Sequence, residues 1–160
     1  MWFFINFVFL FTLILFLCYF GLGYFSVKKL RNYLKKNSYV DYNSVATSPL
    51  SPSVSIIAPA YNEGANIINS VKTLMNLYYR NFEVIIVNDG STDGTFELLK
   101  DAFKLEKCNY FFEYKIPCER IKGIYKSTEK QFGRLTVVDK VNGGCKADAS
   151  NAGVNICRND

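Results

Sequence analysis

Five residues of this chain have types and surroundings that could do chemistry: Tyr61, Glu63, Asp89, Lys146 and Asp148. In Ala58-Pro59-Ala60-Tyr61-Asn62-Glu63-Gly64 the Tyr61 ring can present a face to a heterocyclic base. The Glu63 carboxylate can accept hydrogen bonds from a base or a ribose. An ordinary connector explains the same residues differently, with Asn62 capping a helix and Glu63 complementing its dipole. In Asn88-Asp89-Gly90-Ser91-Thr92-Asp93-Gly94, Asp89 can hold an imide N–H or a ribose hydroxyl. A plain strand-to-helix turn accounts for Gly90 and for Asp93 as a cap, and for Asp89 less well. In Asn142-Gly143-Gly144-Cys145-Lys146-Ala147-Asp148 a glycine pair leads into a helix, whose free N–H groups can bind an anion. A lysine at that end opposes the helix dipole by about a few tenths of a kcal/mol. A phosphate between Lys146 and the N–H groups would offset that cost; an exposed lysine at a solvated helix start is the plainer alternative. Asp148 is placed to reach a sugar or ribose hydroxyl.

Each of these segments follows a run that reads as a buried strand: Val54–Pro59, Phe82–Val87 and Leu135–Asp139. Helical spacing of apolar residues follows each loop, over Asn66–Leu77, Asp93–Phe103 and Lys146–Cys157. Alternating strands and helices predict an α/β fold, a parallel sheet with helices on its faces. In such sheets ligands sit outside the carboxyl ends of the strands, where the three segments fall. In the insert from about 107 to 134, Tyr110–Ile116 is a candidate strand and Pro117–Gly133 an exposed loop. The Leu135–Asp139 strand is expected at an open edge of the sheet.

Residues 2–25 carry no charge, and Asn6 and Thr12 are their only clearly polar side chains. As a helix they span ~36 Å, enough to cross a hydrocarbon core. No basic residue precedes the run and no small-x-small pattern follows it, which favours a retained anchor over a cleaved signal. Lys28, Lys29, Arg31, Lys35 and Lys36 come next, and after them 14 basic residues balance 14 acidic ones. The whole +5 excess therefore lies beside the apolar run. That pattern predicts a single-pass membrane protein with a cytoplasmic domain, a basic segment suited to anionic lipid, and no nucleic-acid partner. The organisation expected is residues 1–36 as span and basic segment, 37–53 as a Ser/Asn/Pro-rich linker, and 54–160 as the α/β domain.

The chain has no histidine, which excludes Ser-His-Asp and Cys-His catalysis and His-ligated zinc. Its five cysteines, at 18, 108, 118, 145 and 157, form no CxxC pair and suit a reducing compartment. There is no GxxxxGK[ST], and no GxGxxG after the first strand.

In this order, PAYNEGANI, VIIVNDGSTDGT and VVDKVNGGCKADASNAGVN resemble family 2 inverting glycosyltransferases of GT-A fold, from about Val54 to Asp160. The likeness looks nearest to the membrane-anchored synthases of the poly-N-acetylglucosamine, chitin, hyaluronan and cellulose group. It implies the N-terminal half of a nucleotide-sugar-binding domain and a UDP-sugar donor transferred to a polysaccharide or other glycan. It also implies that Tyr61, Glu63 and Asp89 hold uridine, with Ala60 a further donor-binding position. Lys146 and Asp148 would serve the ribose-phosphate region. Cys145 stands as an extra residue within the usual NGGKA spacing. The family uses Mg²⁺ or Mn²⁺ on the leaving diphosphate, held by a DxD-type segment, and a carboxylate general base. Neither segment occurs before Asp160, so no catalytic or metal-binding residue is assigned. The chain is accordingly expected to be a truncated enzyme, or one half of an enzyme completed by a second polypeptide. The alternative is an inactive membrane-anchored module that binds a nucleotide or a partner.

Overall fold

The three β-branched runs, Val54–Ala60, Phe82–Asp89 and Leu135–Lys140, lie side by side in one five-stranded sheet. The computed structural model describes residues 1–37 and 42–159. The elements are α1 (Trp2–Asn37), α2 (Tyr42–Thr47), β1 (Val54–Ala60), α3 (Ile67–Met75), β2 (Phe82–Asp89), α4 (Thr95–Ala102), β3 (Leu105–Cys108), β4 (Ile121–Ser127), β5 (Leu135–Lys140) and α5 (Lys146–Ile156). The chain divides into two units, Met1–Ser44 and Val45–Asp160. Positions 38–41 of the expected linker, and Asp160, lie outside the described residues. A helical turn, α2, occupies part of the remaining linker.

In the first unit, α1 is long and apolar enough to cross a membrane, rising about 54 Å along its axis. The two clearly polar side chains of its apolar stretch fold back on the helix backbone: Asn6 Nδ2 donates to Trp2 O and Thr12 Oγ1 to Val8 O. That satisfies polar groups which lipid could not. The basic residues extend the helix, and Lys35 and Lys36 in its last turn complement the negative end of its dipole.

In the second unit, β1, β2 and β5 run parallel; β2 and β5 are buried on both faces, as their continuous Val/Ile content requires, while β1 at the edge is mostly half-buried. One face packs Val84, Ile86, Leu135 and Val137 against Val71 of α3 and Leu99 of α4. The other packs Ile85, Val87 and Val138 against Ala149, Ala152 and Ile156 of α5. Small residues let α5 approach closely. A Cβ on Gly153 would lie 2.3 Å from Ile57 Cγ2.

The sheet is mixed. β4 pairs antiparallel with β5 on one side and with β3 on the other. β5 is therefore an internal strand, and the free edges belong to β1 and β3, correcting the expectation of an open edge at Leu135–Asp139. The insert also differs from its expected form. Ile121–Ser127 is a strand, not a loop, and Tyr110–Ile116 is not a strand. Tyr110 and Phe112 pack on the α5 face, and Tyr110 Oη donates to Ile156 O at 3.0 Å. The backbone of Ile116 finds its partner in a side chain: Asn155 Oδ1 accepts from its N–H at 2.9 Å and Nδ2 donates to its carbonyl at 2.8 Å. An amide clasp thus replaces the strand ladder there.

Candidate functional site

Each parallel strand ends one or two residues later than its apolar run, and this carries polar side chains into the sheet. The register sets Asp89 beside Lys140 on the α5 face and Asn88 beside Asp139 on the other. Lys140 is fully buried, and its ammonium lies 2.6 Å from Asp89 Oδ1, 2.5 Å from Asp148 Oδ2 and 2.5 Å from Val141 O. Two hydrogen bonds, to Asp89 Oδ1 and Val141 O, and an ion pair with Asp148 Oδ2 compensate the buried charge. Burial is the largest single influence on the Lys140 ammonium and pulls its pKa down. Its bonds to Asp148 and Asp89, with their charges, outweigh burial and leave the pKa raised. The Asp148 carboxyl is held below its usual range by Lys140, against its own burial and with help from the Glu119 N–H. On the other face Asn88 Nδ2 donates to Asp139 Oδ1 at 2.8 Å.

The first two loops are latched together. Asn62, in the left-handed region at φ 53°, accepts through Oδ1 from Thr92 N, and its own N–H donates to Ser91 Oγ. Glu63 N donates to Thr95 Oγ1, and Gly64 N to Asp93 Oδ2. Asn62 is therefore a latch and not a helix cap; α3 starts at Ile67, after Asn66. Asp93 joins the loops as well as receiving the Thr95 N–H, and Gly94 holds the cap position of α4. The Thr95 hydroxyl and the Gly64 N–H lower the pKa of Asp93.

The third loop meets the second through Asp89. Gly143 N donates to Asp89 Oδ1 at 3.1 Å, and Asn142 Nδ2 to Asp89 O at 2.9 Å. Two glycines are required by contact. A Cβ on Gly90, at φ 65°, would lie 2.8 Å from Asn142 N, and one on Gly143 would lie 2.1 Å from Asp148 Oδ2.

Between these loops lies a cleft of about 480 Å³, lined by residues including Ala60, Tyr61, Glu63, Asp89, Cys145 and Lys146. Five of the six residues expected from the sequence thus converge. Asp148 does not line the cleft; its carboxylate is taken by Lys140 and by the Glu119 N–H at 2.8 Å. Tyr61, Glu63 and Lys146 are exposed, while Asp89 is 6% exposed. The hydrogen bonds to the Asp89 side chain all fall on Oδ1 among the described residues, so Oδ2 is the oxygen a ligand can reach. Cys145 precedes α5 in extended conformation, and Lys146 opens the helix. The lining offers a ring face, two carboxylates, a cation and the N-terminus of α5.

Residues 55–115 match the model of glycosyl transferase family 2. An uncharacterized glycosyltransferase of Rickettsia bellii is 32% identical over 122 residues, covering 72% of this chain and 18% of the relative. The first two strand–loop–helix segments of the chain are of glycosyl transferase family 2 type. Glycosyltransferase GlyG of Streptococcus pneumoniae is 27% identical over 111 residues, 69% of this chain and 28% of its own length. A mannosyltransferase of Pyrobaculum calidifontis, solved in complex with GDP-Man and Mn²⁺, is 23% identical with a TM-score of 0.45, covering 84% of this chain and 33% of its own. The chain thus spans between 18% and 33% of the length of these proteins. The family match takes in the first two loops, with Tyr61, Glu63 and Asp89, and stops before the third.

Family 2 chemistry implies a divalent cation. Among the described residues no group of three Asp, Glu, Cys or His side chains converges to hold one. The two carboxylates nearest the third loop, Asp89 and Asp148, already share the Lys140 ammonium. These residues do not fit a metal site.

The sequence reading missed Lys140 and the lining residue Asn142. Lys140 had one legible signal: it extends the alternation Thr136, Val138, Lys140 on a face that is otherwise buried.

Proposed function

We propose that the unit Val45–Asp160 binds the nucleotide part of a sugar-nucleotide donor for glycosyl transfer at a membrane. Tyr61 stacks on the base, Glu63 and Asp89 Oδ2 accept from base N–H and ribose hydroxyls, and Lys146 with the α5 N-terminus receives the diphosphate. The convergence of these side chains, from three loops, on one cleft at the strand ends supports the reading. UDP is the nucleotide proposed, and a polysaccharide or other glycan the acceptor. Mg²⁺ or Mn²⁺ remains part of the proposed transfer reaction, with ligands other than the residues described. A second polypeptide is a proposed partner on the same footing. The α1 helix is the proposed anchor, with the basic residues 28–36 on the cytoplasmic side.

The test is calorimetric titration of the full chain in detergent with UDP and GDP, against Asp89→Ala and Asp93→Ala. Loss of a charge-assisted bond should weaken UDP binding by about 1.5–3 kcal/mol in Asp89→Ala. Asp93 contacts the loops and not the cleft, so Asp93→Ala should have the smaller effect. Equal losses in the two variants would reject the assignment of Asp89.

A further inference from the structure

We propose that Lys140 is the positioning residue of the donor cleft, fixing which oxygen of Asp89 the nucleotide meets and which way round the nucleotide lies. The proposal rests on the reading that Asp89 holds the nucleotide. Lys140 lies beneath the cleft and does not line it. It reaches three parts of the site with one ammonium. Through Asp89 Oδ1 it holds the carboxylate at the end of β2, and through Val141 O it sets the start of the third loop. Through Asp148 it ties the first turn of α5, where Lys146 projects. With Gly143 N also on Oδ1, the carboxylate cannot rotate without breaking two bonds, so Oδ2 is presented to the cleft in one orientation.

Charge gives the direction. Two carboxylates and one ammonium leave the cluster one negative charge in excess, and of the two carboxylates only Asp89 lines the cleft. The Asp89 carboxylate accepts N–H and O–H donors and repels phosphate. Lys146 and the N–H groups opening α5 attract phosphate. A nucleoside diphosphate is therefore held base-and-ribose toward Asp89 and diphosphate toward Lys146. A passive core ion pair would add stability without either consequence.

The experiment uses the full chain in detergent, with UDP as the probe and Mg²⁺ present. Lys140→Met removes the ammonium, and Lys140→Met/Asp148→Asn removes it while avoiding two facing carboxylates. Both should bind UDP at least about tenfold more weakly than wild type. Adding Asp89→Ala to either should cause little further loss, since Lys140 acts through Asp89. Asn155→Ala, distant from the cleft, controls for lost stability and should leave UDP affinity unchanged. In the wild-type chain the ¹⁵Nζ resonance of Lys140 should shift with UDP saturation, which needs no variant to fold. Wild-type affinity in a folded double variant, with Asp89→Ala weakened, would overturn the Lys140 proposal and leave the donor-site reading standing. So would a Lys140 resonance unmoved at saturation. Asp89→Ala binding as tightly as wild type, or no UDP binding by wild type, would remove the donor-site reading and this proposal with it.

Discussion

Gly153→Ala should destabilise the domain in the wild-type background and stabilise it once Ile57 is truncated. The added methyl would lie 2.3 Å from Ile57 Cγ2 and 3.3 Å from both Ile57 Cγ1 and Val87 Cγ2. The first distance is roughly 1.2 Å short of ordinary carbon contact. Ile57 branches at Cβ and has little rotamer freedom with which to give way, so α5 must retreat from the sheet. Overpacking of this kind costs about 1–3 kcal/mol, while replacing glycine within a helix returns about 1 kcal/mol. At 2.3 Å the upper part of the overpacking range, about 2–3 kcal/mol, applies, so the net loss expected is about 1–2 kcal/mol, with roughly 4–8 °C in Tm for each kcal/mol. In an Ile57→Ala background the 2.3 Å clash is gone and only the 3.3 Å approach to Val87 Cγ2 remains, so the propensity gain dominates and the sign reverses. The assay is a double-mutant cycle by urea and thermal unfolding, followed by far-UV circular dichroism. A Gly153→Ala chain as stable as wild type, or equal effects in the two backgrounds, would refute the contact. Because α5 also carries Asp148 and Lys146, the single variant should weaken UDP binding as well.

Other outcomes follow from named contacts. Asn155→Ala removes both bonds to the Ile116 backbone and should cost about 1–3 kcal/mol, read by urea titration; an unchanged midpoint would show the clasp contributes nothing. Acid should weaken the domain below about pH 4, because the lowered Asp148 and Asp93 pKa values add stability that is complete above the unfolded value and lost as pH falls through the folded one. Lys140, with a raised pKa, contributes fully below about pH 10 and loses that contribution as pH climbs through its folded value. A melting temperature constant from pH 6 to 3 would contradict the carboxylate assignments. Cys145, exposed at the cleft, should resist an impermeant maleimide applied outside intact cells and react after permeabilisation; labelling from outside would reject the proposed topology.

The three parallel strands, their helices and the meeting of three loops were legible because apolar runs of this kind have few other uses. Tyr61, Glu63, Asp89 and Lys146 could be named from their place after those runs. Lys140 could not, since a charged residue after an apolar run reads as the first residue of a loop. Only the register, Asp89 beside Lys140, shows that the strand continues and that the lysine has partners. Asp148 read as a ligand residue because helix position alone does not say whether a carboxylate faces a cleft or a buried cation. The strand order was hidden too. Sequence order suggested that β5 ended the sheet, but the antiparallel β3–β4 pair covers its far side. Tyr110–Ile116 looked like a strand because aromatic and β-branched residues suit one, and Asn155 satisfies that backbone by other means.

The position of β5 also sets a timetable for synthesis. Lys140 follows Asp89 by 51 residues, so at ribosomal speed β5 emerges roughly 3–10 s after the strand it must pair with. Through that interval the Val84–Val87 stretch of β2 has one ladder partner, β1, and a bare apolar edge. Asp89 waits with no ammonium beside it. The nascent domain therefore passes through a sticky intermediate that its mature form never displays, and its yield should depend on chaperone capacity more than its final stability would suggest.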